Sequence, residues 1–111
     1  MSDHPWEVTP SEVASALAGD APPVLIDCRT SEELSIASVD AAIHVPMSDV
    51  RSRLPELEEH LEDRVVVMCH HGVRSLQVVA FLREAGFVDA RSLAGGIDRW
   101  SLEIDGTVPR Y

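Results

Sequence analysis

The sequence contains no lysine. Nine arginines oppose nineteen aspartates and glutamates, which gives a formal net charge of −10. Without lysine, the chain can neither form a Schiff base through an ε-amine nor use the lysine of a phosphate-binding loop. The acidic balance argues against nucleic acid as a partner. We expect the acidic surface to maintain solubility, and a docking patch for a basic partner is the alternative.

Long apolar runs and cysteine-rich patterns are also missing. No stretch predicts a membrane span, and Met1 to Pro5 lack the basic region and apolar core of a secretory signal. The only cysteines, Cys28 and Cys69, form neither a disulfide framework nor a zinc-binding pattern. At 111 residues and 45% hydrophobic content, the chain can fill one core, so we expect residues 1–111 to form a single domain. A catalytic thiol favours the reducing cytoplasm.

Short β-branched runs alternate with helix-forming stretches, which indicates an α/β fold. Thr9, Pro10 and Glu12 match a capping box with proline at the first helical position, so we predict a helix to about Leu17. Further helices are predicted from Ser31, from Ser48, from Pro55 and over Arg74–Ala85, and strands at Glu7–Val8, Val24–Ile26, Ile43–Val45, Val65–Met68 and Ala90–Leu93. A right-handed crossover between the last two strands implies a mostly parallel sheet with helices on both faces.

The most informative stretch is Val65–Ser75, where a β-branched strand leads into Cys69 and then a short loop before a predicted helix. A helix N-terminus offers unpaired N–H groups and a positive dipole end, and Arg74 adds a full charge. These features favour the thiolate, which is the nucleophilic form of cysteine. Gly72 allows the loop amides to turn inward. We therefore predict that Cys69 is a nucleophile rather than an inert buried thiol.

His70 and His71 follow the predicted nucleophile directly. One interpretation is that they attract anions or deliver a proton to a leaving group; the other is that they only line the loop. Because the two residues are adjacent in a tight loop, we expect at most one of them to face Cys69. Their spacing does not predict a metal site.

Asp27, Cys28 and Arg29 follow another predicted strand. Asp27 and Arg29 either bind substrate or, as we favour, form a structural ion pair. We expect Cys28 to pack as a small apolar residue rather than act as a resolving thiol, because neither sequence distance nor periodicity places it beside Cys69.

Four motifs occur in order along the chain: Leu25–Arg29, Ala42–Met47, Cys69–Ser75 and Leu93–Trp100. Together they resemble the single-domain rhodaneses, a family of sulfurtransferases, with Cys69–Ser75 as the active-site loop. The resemblance runs from about Trp6 to Trp100. The tail from Glu103 to Tyr111 also resembles rhodanese domains appended to adenylating enzymes of sulfur-carrier pathways. At Ala37–Ala41 the chain departs from the family's glycine-histidine-isoleucine-proline-glycine stretch, so the arrangement of that loop stays open.

The resemblance implies a rhodanese-like three-layer domain and a sulfurtransferase without cofactor or metal. Cys69 would accept sulfane sulfur from thiosulfate or another persulfide donor, hold it as a persulfide and pass it to cyanide, a thiol or a sulfur-carrier protein. The cradle residues would be His70, His71, Gly72, Val73, Arg74 and Ser75. Arg74 would neutralise the donor or fix the loop, and Ser75 would cap the helix or donate a hydrogen bond.

Two other functions stay open. One is an oxyanion-processing cysteine enzyme, either a phosphatase or an arsenate reductase, since related dual-specificity phosphatases also use a cysteine-to-arginine loop. Their loops are longer by one residue, whereas four residues separate Cys69 from Arg74. The other is a non-catalytic binding module, against which the presence of Cys69 argues.

Overall fold

The computed structural model describes residues 4–111. Met1–Asp3, which belong to the segment considered above for a secretory signal, lie outside the described residues. Its strands are β1 (Glu7–Val8), β2 (Val24–Asp27), β3 (Ile43–His44), β4 (Arg64–Met68) and β5 (Asp89–Leu93). They form one sheet in the order β1-β5-β4-β2-β3, and every neighbouring pair is parallel. The predicted α/β fold with a parallel sheet is confirmed.

The α-helices are α1 (Pro10–Leu17), α2 (Ser31–Ile36), α3 (Leu54–Leu57), α4 (Val73–Glu84) and α5 (Gly96–Glu103), and short 3-10 helices lie at Met47–Asp49 and Glu58–His60. The predicted capping box is present: Thr9 Oγ1 accepts from the Glu12 N–H, and Glu12 Oε1 accepts from the Thr9 N–H. An N-cap of this kind stabilises a helix by about 1 kcal/mol. The sequence patterns did not predict α5. Among the described residues, no helix is long and apolar enough to cross a bilayer.

Apolar side chains pack on both faces of the sheet. Along β4, Val65 and Val67 belong to one hydrophobic cluster, and Val66 and Met68 belong to the other. A strand that is covered on both faces needs a continuous apolar run instead of an alternating one. This explains the β-branched run that precedes Cys69.

Strands β2 and β4 end side by side. Asp27 is in register with Met68, and the Cys28 N–H donates to the Met68 carbonyl at 3.0 Å. Cys28 and Cys69 are each the first residue after their strand, and both pack in the same hydrophobic cluster. The expectation that Cys28 packs as a buried residue is confirmed, since it is 1% exposed. Neither sequence distance nor periodicity placed Cys28 beside Cys69, but the strand order makes the two residues neighbours.

Candidate active site

The Cys69 sulfur lies beneath the first turn of α4. The backbone N–H of Gly72 donates to Sγ at 3.0 Å, and the backbone N–H of Ser75 donates at 3.4 Å. The Ser75 hydroxyl is also 3.4 Å from Sγ and 2.7 Å from the hydroxyl of Ser92. Inward-pointing amides at a helix N-terminus stabilise negative charge. The loop therefore aims two amides and a hydroxyl at one sulfur atom.

Gly72 makes this arrangement sterically feasible. Its φ is +98°, in the left-handed region that favours glycine, and a Cβ there would lie 3.2 Å from the Gly95 nitrogen. Gly72 occupies the N-cap position of α4. Ser75, which the sequence offered as either a cap or a hydrogen-bond donor, lies inside the first turn of α4 with its hydroxyl directed toward sulfur.

A second helix N-terminus holds the backbone of the loop. The Ile97 N–H donates to the Cys69 carbonyl at 2.8 Å, and the Asp98 N–H donates to the His70 carbonyl at 3.2 Å. This close approach requires Gly96, because a Cβ there would lie 2.3 Å from the Cys69 carbonyl oxygen. The sequence signal for α5 was the buried pair Ile97 and Trp100, three residues apart after two glycines.

Arg74 does not extend into the loop but turns to α2. Its two terminal nitrogens donate to the Glu33 carboxylate at 2.7 and 2.8 Å, and the Tyr111 hydroxyl donates to the same carboxylate at 2.6 Å. The hydrogen bonds from Arg74, aided by Tyr111, hold the pKa of Glu33 well below its usual range. Of the two roles considered for Arg74, these contacts correspond to fixing the loop.

The His70 ring is stacked between two other rings. Its centroid lies 3.9 Å from that of His71 and 3.9 Å from that of Tyr111, and the His70 and Tyr111 planes differ by only 6°. His70 is partly buried and His71 is exposed. His70 Nε2 is buried and has no hydrogen-bond partner in the part of the chain that the structure describes. Within residues 4–111, no group of three or more His, Cys, Asp or Glu side chains is placed to hold a metal ion.

The remaining cradle residue, Val73, begins α4 and is 68% exposed at the rim of the loop. Tyr111 was missed by sequence reasoning, since no local pattern links it to residues so far away. Glu33 carried one signal: with Thr30 it forms a second capping box, which marks the start of α2. The contact between Glu33 and Arg74 had no signal in the sequence.

Beside the loop, Asp27 and Arg29 form the expected ion pair. Arg29 Nη2 lies 2.7 Å from Asp27 Oδ2, and their side chains are 0% and 1% exposed. Arg29 also donates to the Ala37 carbonyl at 2.8 Å and to the Tyr111 hydroxyl at 2.8 Å. The guanidinium thus ties the strand end to the segment that departs from the rhodanese pattern and to the end of the chain.

Cys28 has a different environment from Cys69. Burial, followed by the neighbouring charges of Cys69 and Asp27, raises the pKa of Cys28 to about 12. A thiol with so high a pKa stays protonated near neutral pH and is a poor nucleophile.

Comparison with known proteins agrees with this geometry. The family model of the rhodanese-like domain matches residues 9–103. The chain belongs to the rhodanese-like family. It is 35% identical over 101 residues to the adenylyltransferase and sulfurtransferase MOCS3-2 of Zea mays, covering 86% of this chain and 21% of that protein. The probable adenylyltransferase/sulfurtransferase MoeZ of Mycobacterium tuberculosis is 34% identical, with 94% of this chain and 26% of that protein covered.

Solved structures of rhodanese-like domains share its fold. Human single-domain sulfurtransferase TSTD1 superimposes with a TM-score of 0.78 at 27% identity, covering 90% of this chain and 98% of that one. A rhodanese-like domain protein from Staphylococcus aureus gives a TM-score of 0.80 at 27% identity, covering 95% and 97%. The chain spans about a fifth to a quarter of the two adenylyltransferase relatives but nearly all of these smaller proteins.

Proposed function

We propose that this rhodanese-like domain is a sulfurtransferase that carries sulfane sulfur as a persulfide on Cys69. The observation that carries the proposal is the cradle of two backbone N–H groups and one hydroxyl around the Cys69 sulfur. Its similarity to domains of proteins named as sulfurtransferases supports the same function.

In the first half-reaction, the Cys69 thiolate attacks the outer sulfur of thiosulfate or another persulfide donor. A new S–S bond forms, the donor's S–S bond breaks, and sulfite or a thiolate leaves with the electron pair. Because Cys69 is only 1% exposed, the donor must bring its terminal sulfur into the loop. The Gly72 and Ser75 amides then stabilise the negative charge of the persulfide.

In the second half-reaction, a thiophilic acceptor attacks the outer sulfur of the persulfide. The acceptor gains that sulfur, and Cys69 leaves as a thiolate, which the same amides stabilise. We propose cyanide, a small thiol or a sulfur-carrier protein as the acceptor. A protein acceptor is favoured because two relatives combine adenylyltransferase with sulfurtransferase in one name. The cytoplasmic location expected from the sequence suits a catalytic thiol.

The decisive experiment is the intact mass of the reduced protein after incubation with thiosulfate, with Cys69→Ser and Cys28→Ser variants alongside. We expect the wild type and Cys28→Ser to gain one sulfur atom, and cyanide or a thiol to remove it. Cys69→Ser should gain none, because a hydroxyl cannot hold a persulfide.

A gain that persists in Cys69→Ser would overturn the assignment of the nucleophile. If thiosulfate, mercaptopyruvate and a protein persulfide all fail to load the wild type, the sulfurtransferase proposal fails. Hydrolysis of a phosphoryl oxyanion or reduction of arsenate would then be tested next, followed by a binding role.

A further inference from the structure

Charged side chains around the Cys69 loop are arranged in pairs. Arg74, the one arginine within the loop, is bound to Glu33 of α2. Asp98, whose N–H holds the loop backbone, is bound to Arg110 at 2.8 Å, and Arg110 lowers the pKa of that carboxyl. Arg74 and Arg110 are therefore each paired with a carboxylate and are not free to bind an anion.

The Glu33 to Arg74 pair has the geometry of a fixed ion pair. Two parallel N–H to oxygen bonds at 2.7 and 2.8 Å make it bidentate, and the Arg74 and Glu33 side chains are only 34% and 17% exposed. Such pairs are stronger and more specific in geometry than single contacts. The Tyr111 hydroxyl also holds Glu33, and Arg29 in turn donates to that hydroxyl.

We propose that Glu33 is a specificity-determining residue: by neutralising Arg74, it makes the site prefer monoanionic sulfane-sulfur donors over the dianion thiosulfate. This inference rests on the proposed sulfurtransferase function and concerns the charge of its donor. Two backbone N–H groups already donate to the Cys69 sulfur, so its negative charge is stabilised without a free guanidinium. A second negative charge on the donor, by contrast, finds no unpaired guanidinium within the Cys69–Ser75 loop.

Two donors of nearly equal shape isolate the effect of charge. Thiosulfate and the methanethiosulfonate anion both present a terminal sulfur on a sulfonyl sulfur, but a methyl group in the latter replaces one charged oxygen. The quantity to measure is the ratio of kcat/KM for thiosulfate to that for methanethiosulfonate. Both donors are assayed at the same pH and ionic strength, so that the ratio reports only the difference in donor charge.

Four proteins complete a charge cycle: wild type, Glu33→Gln, Arg74→Gln and the double variant. The net charge of the pair is zero in the wild type and in the double variant, positive in Glu33→Gln and negative in Arg74→Gln. Glutamine can keep the capping box with Thr30, because it serves at that helix position as well as glutamate does. Circular dichroism and thermal unfolding establish that each variant is folded.

We expect Glu33→Gln to raise the donor ratio by about fivefold to tenfold and Arg74→Gln to lower it by a similar factor, as a charge change partly screened by solvent would do. The double variant should return the ratio to near the wild-type value, whatever its absolute rate. A purely structural role would lower both donors' rates in parallel and leave the ratio unchanged.

A donor ratio that does not rise in Glu33→Gln would overturn the inference. A double variant whose donor ratio stays at the value of either single variant would also overturn it. If the variants do not fold, the salt dependence of the wild type decides: we expect the thiosulfate rate not to fall as salt is raised, because the net charge of −10 repels a dianion. A steep fall with salt would mean that free positive charge attracts the dianion, which contradicts the inference. Failure of the wild type to gain sulfur from either donor would instead count against the proposed function itself.

Discussion

The ends of β4 and β2 carry two buried thiols in different surroundings. Cys69 accepts hydrogen bonds from the Gly72 and Ser75 amides, which stabilise a thiolate. Cys28 lies at the end of the neighbouring strand on the same face, and burial raises its pKa to about 12. Both residues are 1% exposed, so burial alone does not decide which thiol reacts. The difference arises from the segment after each strand: a helix N-terminus aimed at sulfur after β4, and a buried ion pair at the end of β2.

The β2 end should therefore contribute to stability more than to chemistry. Arg29→Leu leaves Asp27 charged and buried without its partner, so we expect a loss of about 3–5 kcal/mol in the free energy of unfolding. Urea denaturation measures this change. Arg74→Leu is the matched control, and its partly exposed pair should cost about 1 kcal/mol or less. Equal losses of stability in the two variants would show that the buried Asp27–Arg29 pair is no more important for stability than the partly exposed Glu33–Arg74 pair.

The two thiols should differ in alkylation rate. At pH 8 we expect iodoacetamide to modify Cys69 at least about a hundredfold faster than Cys28, since only the thiolate reacts. Because the pKa of Cys28 is raised to about 12, its thiolate fraction is small at pH 8 and grows with each pH unit up to that value. Mass spectrometry of Cys28→Ser and Cys69→Ser reports each thiol separately.

In urea, the two rates should converge, which controls for intrinsic reactivity. Native rates that are already equal would show that the cradle does not activate Cys69.

The smallest expected effect separates the hydroxyl from the amides. Ser75→Ala removes one hydrogen-bond partner of Sγ and leaves the two N–H groups, so we expect persulfide formation to slow by about fivefold to tenfold. Ser101→Ala is the control, because that buried hydroxyl donates to the Val108 carbonyl. Stopped-flow rates per folded molecule measure the difference. A loss of the same size in both variants would indicate general destabilisation.

Local sequence signals predicted the fold and the loop well. The capping box at Thr9 lies within a few residues of chain, and the β-branched run of β4 reports its own burial on both faces. The boundaries of α4 were also predicted to within one residue. In each case the physical cause and its sequence signature occupy the same short segment.

Contacts set by strand order could not be predicted in this way. Cys28 and Cys69 become neighbours only because β2 pairs with β4, a choice that no single segment encodes. Glu33 and Arg74 are separated by 41 positions, and Arg29 and Tyr111 by 82. The second helix N-terminus at the loop was missed because α5 begins with glycine and has no N-cap side chain to mark its start.

The sheet order also bears on the order in which the chain folds during synthesis. β1 pairs with β5, with Glu7 in register with Ser92, so the first strand must wait for the last one before it can join the sheet. Contacts of such long sequence separation form late in folding. Ile97, which holds the Cys69 carbonyl, leaves the ribosome 28 residues after the cysteine. We therefore expect the nascent chain to carry a thiol that is accessible to oxidants until the final helix has folded.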